Sequence, residues 1–321
     1  MMDMATLFVY LLAFLFLHIT IKHFLNRIRN LPPSPFLCLP IIGHFYLFKQ
    51  PIHRTLAGLS NRYGPILLLQ FGRRRVLVVS SPEIAQECLA KKDIIFANRP
   101  RLLFAKHMSY NFTSLFWAPH GDKWRNLRRI ASLEMLSTHR VHMLSFIRQE
   151  EVKSLVRHLY RNQDQMVDMR AAFVELTLNI MTRTIAGKRY YGESSTISGT
   201  NTVVADAEEV KRFGEIIEET NRLGRESEIR DFFPWMGCKR VEKELMECQR
   251  KRDSLMQGLV DEQRAKMERS DDNESGERKN NLIQVLLSLQ DKDPDYYDDE
   301  LIKSLMLVAS HPLVHSYLFY C

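Results

Sequence analysis

Between Ala5 and Ile21 the chain runs for seventeen residues without a formal charge. As a helix such a run spans about 26 Å at ~1.5 Å per residue, just enough to cross a bilayer with some tilt. Asp3 precedes it, whereas Lys22, His23, Arg27 and Arg29 follow it. The positive-inside rule therefore places the rest of the chain in the cytosol. A cleaved signal peptide would need a basic start and a small-x-small cleavage site, and neither is present. The expectation is an uncleaved signal-anchor, which obliges everything after it to fold against a membrane on its cytosolic side.

A cytosolic body keeps its thiols reduced. The five cysteines, Cys38, Cys88, Cys238, Cys248 and Cys321, are odd in number and lack C-x-x-C spacing, which argues against a disulfide framework or a zinc site. By the same topology the glycosylation sequons at Asn111 and Asn273 read as chance matches. Lys and Arg total 45 against 38 Asp and Glu, an excess that suits an anionic membrane surface or a nucleic acid. The anchor favours the membrane, and the run Arg73–Arg75 meets lipid headgroups as well as it would a phosphate backbone. No nucleic-acid partner is expected.

After the anchor come Leu31-Pro-Pro-Ser-Pro35 and Leu39-Pro-Ile-Ile-Gly-His44; prolines so spaced favour an extended, stiff segment, or an ordinary linker. A short helix over 53–63 closes at Gly64-Pro65. The β-prone runs 66–71 and 76–79, joined by a charged loop at Gly72–Arg75, read as a hairpin, and this is the only region expected to form sheet. Ser81-Pro82 starts a helix to about Lys91. Residues 102–121 form an aromatic loop with Phe104, Tyr110, Phe112, Phe116 and Trp117, and an apolar loop of this kind covers something or is covered. From 122 onward the pattern predicts helices at 122–135, 139–162, 168–187, 203–225, 238–269, 280–290 and 296–308. The polar stretches Gly192–Thr202 and Arg269–Asn281 are expected as surface loops.

At the break made by Pro119 and Gly121, Asp122 is the expected N-cap of a basic helix carrying Lys123, Arg125, Arg128 and Arg129. Trp124 and Arg128, four apart, share one face and present an indole N–H and a guanidinium together. That pair suits a carboxylate or a phosphate; it is equally a Trp–Arg stack on a solvated face. His139 and His142 could share a face, but no third ligand is evident. Dinucleotide, P-loop and H-E-x-x-H motifs are absent from the sequence.

The segments Leu31–Pro35 with Leu39–His44, Tyr63-Gly-Pro65, Val79-Ser-Ser-Pro-Glu83, Phe96-Ala-Asn-Arg-Pro100 and Trp124-Arg-Asn-Leu-Arg128 together resemble the amino-terminal part of a cytochrome P-450. Such a protein is a membrane-bound haem-thiolate monooxygenase, here of the plant microsomal type. The resemblance covers about residues 1 to 308. It implies a mainly α fold with a small β-sheet (α+β), incomplete, behind a transmembrane helix. It implies haem as cofactor, with Trp124 and Arg128 donating to a haem propionate, and substrate contacts from Phe112, Phe116 and Trp117. It further implies a small lipophilic or secondary-metabolite substrate, electrons from an NADPH-dependent reductase, and a single-pass position in the endoplasmic reticulum membrane. The division expected is an anchor with basic flank (1–30), a proline-rich hinge (31–50), the monooxygenase body (51–308) and an out-of-family tail (309–321).

The family's axial cysteine lies in a Phe-x-x-Gly-x-Arg-x-Cys-x-Gly setting, and none of the five cysteines here has it. The Ala-Gly-x-Asp/Glu-Thr and Glu-x-x-Arg motifs are also missing, and Pro312 stands where the central helix should continue. The expectation is a truncated member to which no catalytic residue and no metal ligand can be assigned, with little or no activity. The alternative is a non-catalytic, membrane-anchored fragment that binds other membrane proteins.

Overall fold

The computed structural model describes residues 4–35, 37–49, 51–192, 203–233, 239–269 and 281–310. The expected loops at Gly192–Thr202 and Arg269–Asn281, apart from Gly192, Arg269 and Asn281, lie outside the described residues, as do 311–321 with Pro312 and Cys321. The chain divides into two compact units. One takes in the chain as far as Asn98 and the segment from Glu228; the other takes in Arg99–Ser227 and the chain from Lys239.

The first unit begins with α1 (Met4–Ile28), a continuous helix of 25 residues. Among the described residues no helix is long and apolar enough to cross a membrane, so the span expected over Ala5–Ile21 remains an inference from sequence. The proline-rich segment beyond it is docked rather than slack. Pro33 O accepts from Leu68 N at 2.8 Å, and His44 N donates to Gln70 O at 2.7 Å. The buried His44 ring accepts from Gln70 N at Nδ1 (2.8 Å) and reaches Pro35 O from Nε2 (3.2 Å). Because Nδ1 receives a backbone N–H, the ring proton is assigned to Nε2. Gly43, at φ +67°, approaches so closely that a Cβ there would lie 2.2 Å from Gln70 O. These contacts line the edge of β1 (Ile66–Phe71), which pairs on its other side with antiparallel β2 (Arg74–Val79) from Ile66↔Val79 to Phe71↔Arg74.

The hairpin loop is shorter than expected. Only Gly72 and Arg73 turn, while Arg74 and Arg75 belong to β2. Arg74 is held in the strand by Asp231, through Nε to its backbone oxygen at 3.1 Å and a 3.6 Å ion pair. Around the hairpin stand α2 (Ile52–Tyr63), closed by Gly64 at φ +110°, and α3 (Pro82–Gln86), capped by Ser81. A π-helical turn over Glu87–Lys91 and α4 (Asp93–Phe96) follow.

The second unit is helical. It contains α5 (Leu103–Met108), α6 (Asp122–Ile130) continued by a π-helical turn to Met135, α7 (Thr138–Met143), α8 (Ser145–Arg161) and α9 (Met169–Ala186). Next come α10 (Ala207–Phe232), whose last turn belongs to the first unit, α11 (Lys239–Arg269), α12 (Leu282–Gln290) and α13 (Asp299–Ser310). Two features correct the sequence reading. α5 lies inside the stretch expected to be loop, and a two-residue parallel pair, β3 (Lys188–Arg189) with β4 (Val203–Val204), adds sheet beyond the hairpin. Strands of two residues are too short to show alternation.

Leu127, Ile283, Leu286, Ile302 and Leu305 are fully buried at the centre of this unit, each contributing about 1.5–3 kcal/mol relative to an exposed side chain. A smaller cluster gathers Met108, Leu223, Val241, Leu245 and Cys248 under α5. Between α8, α9 and β3 lies a buried ion network. Glu151 accepts from Arg183 Nη1 at 2.7 Å and from Arg189 Nε at 3.2 Å, Arg183 Nη2 reaches Glu150 at 2.6 Å, and Arg189 donates to Ser154 Oγ at 3.0 Å.

Candidate cofactor and ligand site

α6 starts where the Pro119–Gly121 break releases the backbone. Gly121, in an extended conformation, is the N-cap, with no side-chain cap. Asp122, expected to cap, stands one position inside, and its carboxylate takes Arg125 Nη2 at 2.6 Å. The helix sends Leu127 and Ile130 into the core and leaves Lys123, Arg125, Arg128 and Arg129 exposed. Trp124 is half-buried against that core. The Arg128 guanidinium lies 5.2 Å from the Trp124 ring centroid, so the two residues share one face and stack.

Stacking uses the π-face of the indole and leaves both sets of N–H donors in the ring planes. Among the described residues, neither the Trp124 indole N–H nor the Arg128 guanidinium has a hydrogen-bond acceptor or an ion-pair partner. A neutral donor and a fixed cation, side by side and uncommitted, fit the carboxylate of an exogenous group such as a haem propionate. Among the described residues the metal end of such a group finds no comparable site. Among the described residues no cluster of three or more His, Cys, Asp or Glu could hold a metal ion. Cys38 and Cys248 are buried, and burial pushes the Cys248 thiol up, away from the thiolate that a haem iron accepts. Cys238 and Cys321 lie outside the described residues. His139 and His142 are exposed on α7.

The aromatic stretch ahead of α6 turns through three successive left-handed residues, Tyr110, Asn111 and Phe112, at φ 50°, 55° and 64°. Side-chain-bearing residues resist this conformation by about 1–2 kcal/mol each. Local and long-range bonds hold the turn. Ser109 Oγ accepts from Phe112 N at 3.2 Å, and Tyr110 OH donates to Asp253 on α11 at 2.7 Å. The turn delivers Phe116 and Trp117 to the wall of a cavity of about 140 Å³. Phe112 is not part of that wall; its ring lies 5.7 Å from the Arg101 guanidinium. Trp124 and Arg128 do not line the cavity either.

The cavity is lined by Phe104 and Met108 of α5, Met181 and Ile185 of α9, Phe213 and Ile216 of α10, Leu255 and Met256 of α11, and Met306 of α13. Most polar groups in the wall are already engaged. Thr182 donates to Leu178 O at 3.0 Å, Thr220 meets Cys248 Sγ at 3.4 Å and Tyr190 donates to Glu209 at 2.7 Å. Asn221 and Arg252 are wall residues that sequence reasoning missed. Arg252 had a legible signal, since it falls on the apolar stripe of α11 although its neighbours Arg250 and Lys251 make the segment look solvated.

A family model described as Cytochrome P450 matches residues 32–310. The chain is 42% identical over 308 residues to "Cytochrome P450 81E8" of Medicago truncatula, covering 93% of this chain and 58% of that protein. It is 38% identical over 304 residues to "Isoflavone 2'-hydroxylase" of Glycyrrhiza echinata, covering 93% of this chain and 57% of the relative. The chain thus spans about three-fifths of the length of these curated relatives. A solved zebra fish cytochrome P450 with progesterone aligns at a TM-score of 0.56 over 82% of this chain and 56% of that one, at 22% identity, a likeness of fold alone.

Proposed function

Because the chain belongs to the cytochrome P450 family, we propose that it contributes the amino-terminal side of a haem-thiolate monooxygenase. The reaction would insert one oxygen atom of O2 into a small aromatic secondary metabolite, with electrons from an NADPH-dependent reductase. Haem, when bound, supplies the activation of dioxygen. The residues of this chain bind, orient and exclude water. Trp124 and Arg128 would hold a propionate, the indole by a neutral hydrogen bond of roughly 0.5–1.5 kcal/mol and the guanidinium by a charged one of roughly 1.5–3 kcal/mol. Phe116 and Trp117 would form the aromatic wall of the substrate pocket. The cavity's apolar lining keeps water away from a ring seated in it.

The observation that carries this reading is the stacked Trp124–Arg128 pair, whose donors have no acceptor among the described residues. The similarity to an isoflavone 2'-hydroxylase supports an aromatic substrate. Residues 1–30 would anchor the chain in the endoplasmic reticulum membrane with its body in the cytosol, residues 31–50 would form the hinge, and 51–308 the body. Haem titration of the full chain tests the propionate assignment by visible absorbance. Wild type is expected to saturate, and Trp124→Phe and Arg128→Gln each to weaken uptake about tenfold. Equal uptake by all three proteins overturns the assignment. A reduced carbon-monoxide difference spectrum on the same samples reports whether a thiolate reaches the iron.

A second reading, a non-catalytic chain that binds other membrane proteins, is favoured by Val152, Val156 and Tyr160. They stand exposed at four-residue spacing along α8. Saturable capture of purified reductase that Val156→Asp abolishes would support it.

A further inference from the structure

α11 buries Val241, Leu245, Cys248, Met256, Val260 and Gln263 along one face. Arg252 falls on the same row, four residues from both Cys248 and Met256. Arg252 is only part-buried there, and a partly desolvated charge without a counter-charge is unfavourable. Its Nη2 donates to Met108 O and to Gln249 Oε1, both neutral acceptors. Its Nε is buried with no hydrogen-bond partner. Among the described residues no carboxylate lies within ion-pair distance of it. The adjacent Asp253 is taken by Lys303 Nζ and Tyr110 OH, each at 2.7 Å. Burial pushes the Arg252 guanidinium down, the direction expected of a desolvated cation.

Arg252 is not sealed into the core, because it lines the 140 Å³ cavity. Asn221 of α10 lines it too, and its carboxamide has no hydrogen bond among the described residues. Phe104, Phe116 and Trp117 supply ring faces around them. We infer that this cavity binds an aromatic ligand bearing an anionic oxygen, a carboxylate or a phenolate, with that oxygen on Arg252 and the ring among Phe104, Phe116 and Trp117. This names the substrate class of the pocket proposed above and rests on that reading of the pocket. A neutral aromatic of the same shape fills the same space but gives the guanidinium no counter-charge, so the site discriminates by charge.

Equilibrium dialysis of the full, haem-free chain in detergent, with micelle-only cells subtracted, tests this with benzoate against its neutral isostere nitrobenzene. Wild type is expected to bind benzoate at least tenfold more tightly, and Arg252→Gln to bring the two within about twofold. Equal affinity in wild type, or a preference that survives Arg252→Gln, overturns the inference. Leu255→Phe fills part of the cavity and is expected to weaken both ligands together; unchanged benzoate binding in that variant places the anion elsewhere and also overturns it. Leu255→Phe keeps the test decisive should Arg252→Gln not fold. No haem enters the dialysis, so its failure leaves the propionate assignment standing, and a failed haem titration leaves this one standing.

Discussion

Glu151 holds together three pieces of chain with one carboxylate. It lies on α8 and receives Arg183 of α9 and Arg189 of β3, all three nearly inaccessible to solvent. Removing Glu151 leaves Arg183 with Glu150 and takes from Arg189 the carboxylate it donates to, a loss of about 3–5 kcal/mol. Glu151→Ala is therefore expected to lower the urea midpoint of the second unit, read by far-ultraviolet circular dichroism, far more than Glu150→Ala at the rim. At Asp253, burial pushes the carboxyl up, but hydrogen bonds from Lys303 and Tyr110 outweigh it and hold the group below the ordinary carboxylate range. A depressed folded-state value contributes stability above the unfolded value of about 3.9, and that contribution is lost as pH falls through the folded value. The gap in urea midpoint between wild type and Asp253→Asn should thus be wide at about pH 6 and narrower at a pH well below the unfolded value of about 3.9. Equal gaps at both would remove Asp253 from the acid limb. At this scale Trp124 and Arg128 were legible, because a four-residue spacing on a short helix fixes a shared face. Glu151 was not, since two glutamates in a charged helix read as solvated until β3 folds over them. The cavity's Arg252 was hidden by the same charge pattern.

Among the elements, α12 shows how a local signal becomes a long-range one. Asn281 caps it, accepting from Gln284 N at 3.0 Å while Gln284 Oε1 accepts from Asn281 N at 3.2 Å. The same Asn281 donates to Gln263 Oε1 on α11 at 3.0 Å, and Gln263 Nε2 donates to Ala186 O at the end of α9 at 2.8 Å. Asn281→Ala loses the cap and orphans a buried acceptor, together about 1–3 kcal/mol. Asn281→Asp, which keeps the cap but replaces the carboxamide donor, should recover only part of that loss in thermal unfolding. The helix boundaries near Pro and Gly were readable because those residues break the backbone where they stand. α5 escaped because six residues give less than two full turns of periodicity. The break between α7 and α8 at Leu144 escaped because no glycine or proline marks it. For α1, the proposed membrane role predicts that the full chain stays in the pellet after alkaline carbonate extraction and that a chain lacking residues 1–30 moves to the supernatant. Equal partition of both would remove α1 as the anchor.

Across the whole molecule, the family's mainly helical plan with a small sheet was legible in the order of short motifs, each of which marks a turn, a cap or a paired donor. The compact units were not, because the first unit recruits the end of α10 from more than a hundred residues downstream, and nothing local in α10 announces that return. The proline-rich segment shows a similar gap between composition and structure. Its prolines fitted a stiff segment or an ordinary linker, whereas its position comes from bonds to β1 that no spacing rule contains. Those bonds lie side by side, Pro33 with Leu68 and His44 with Gln70. Tension applied through α1 therefore reaches the edge of β1, first at Pro33 and then at His44. If α1 takes its proposed place in a membrane, a tug from the bilayer is met at the sheet instead of being absorbed by slack in a tether.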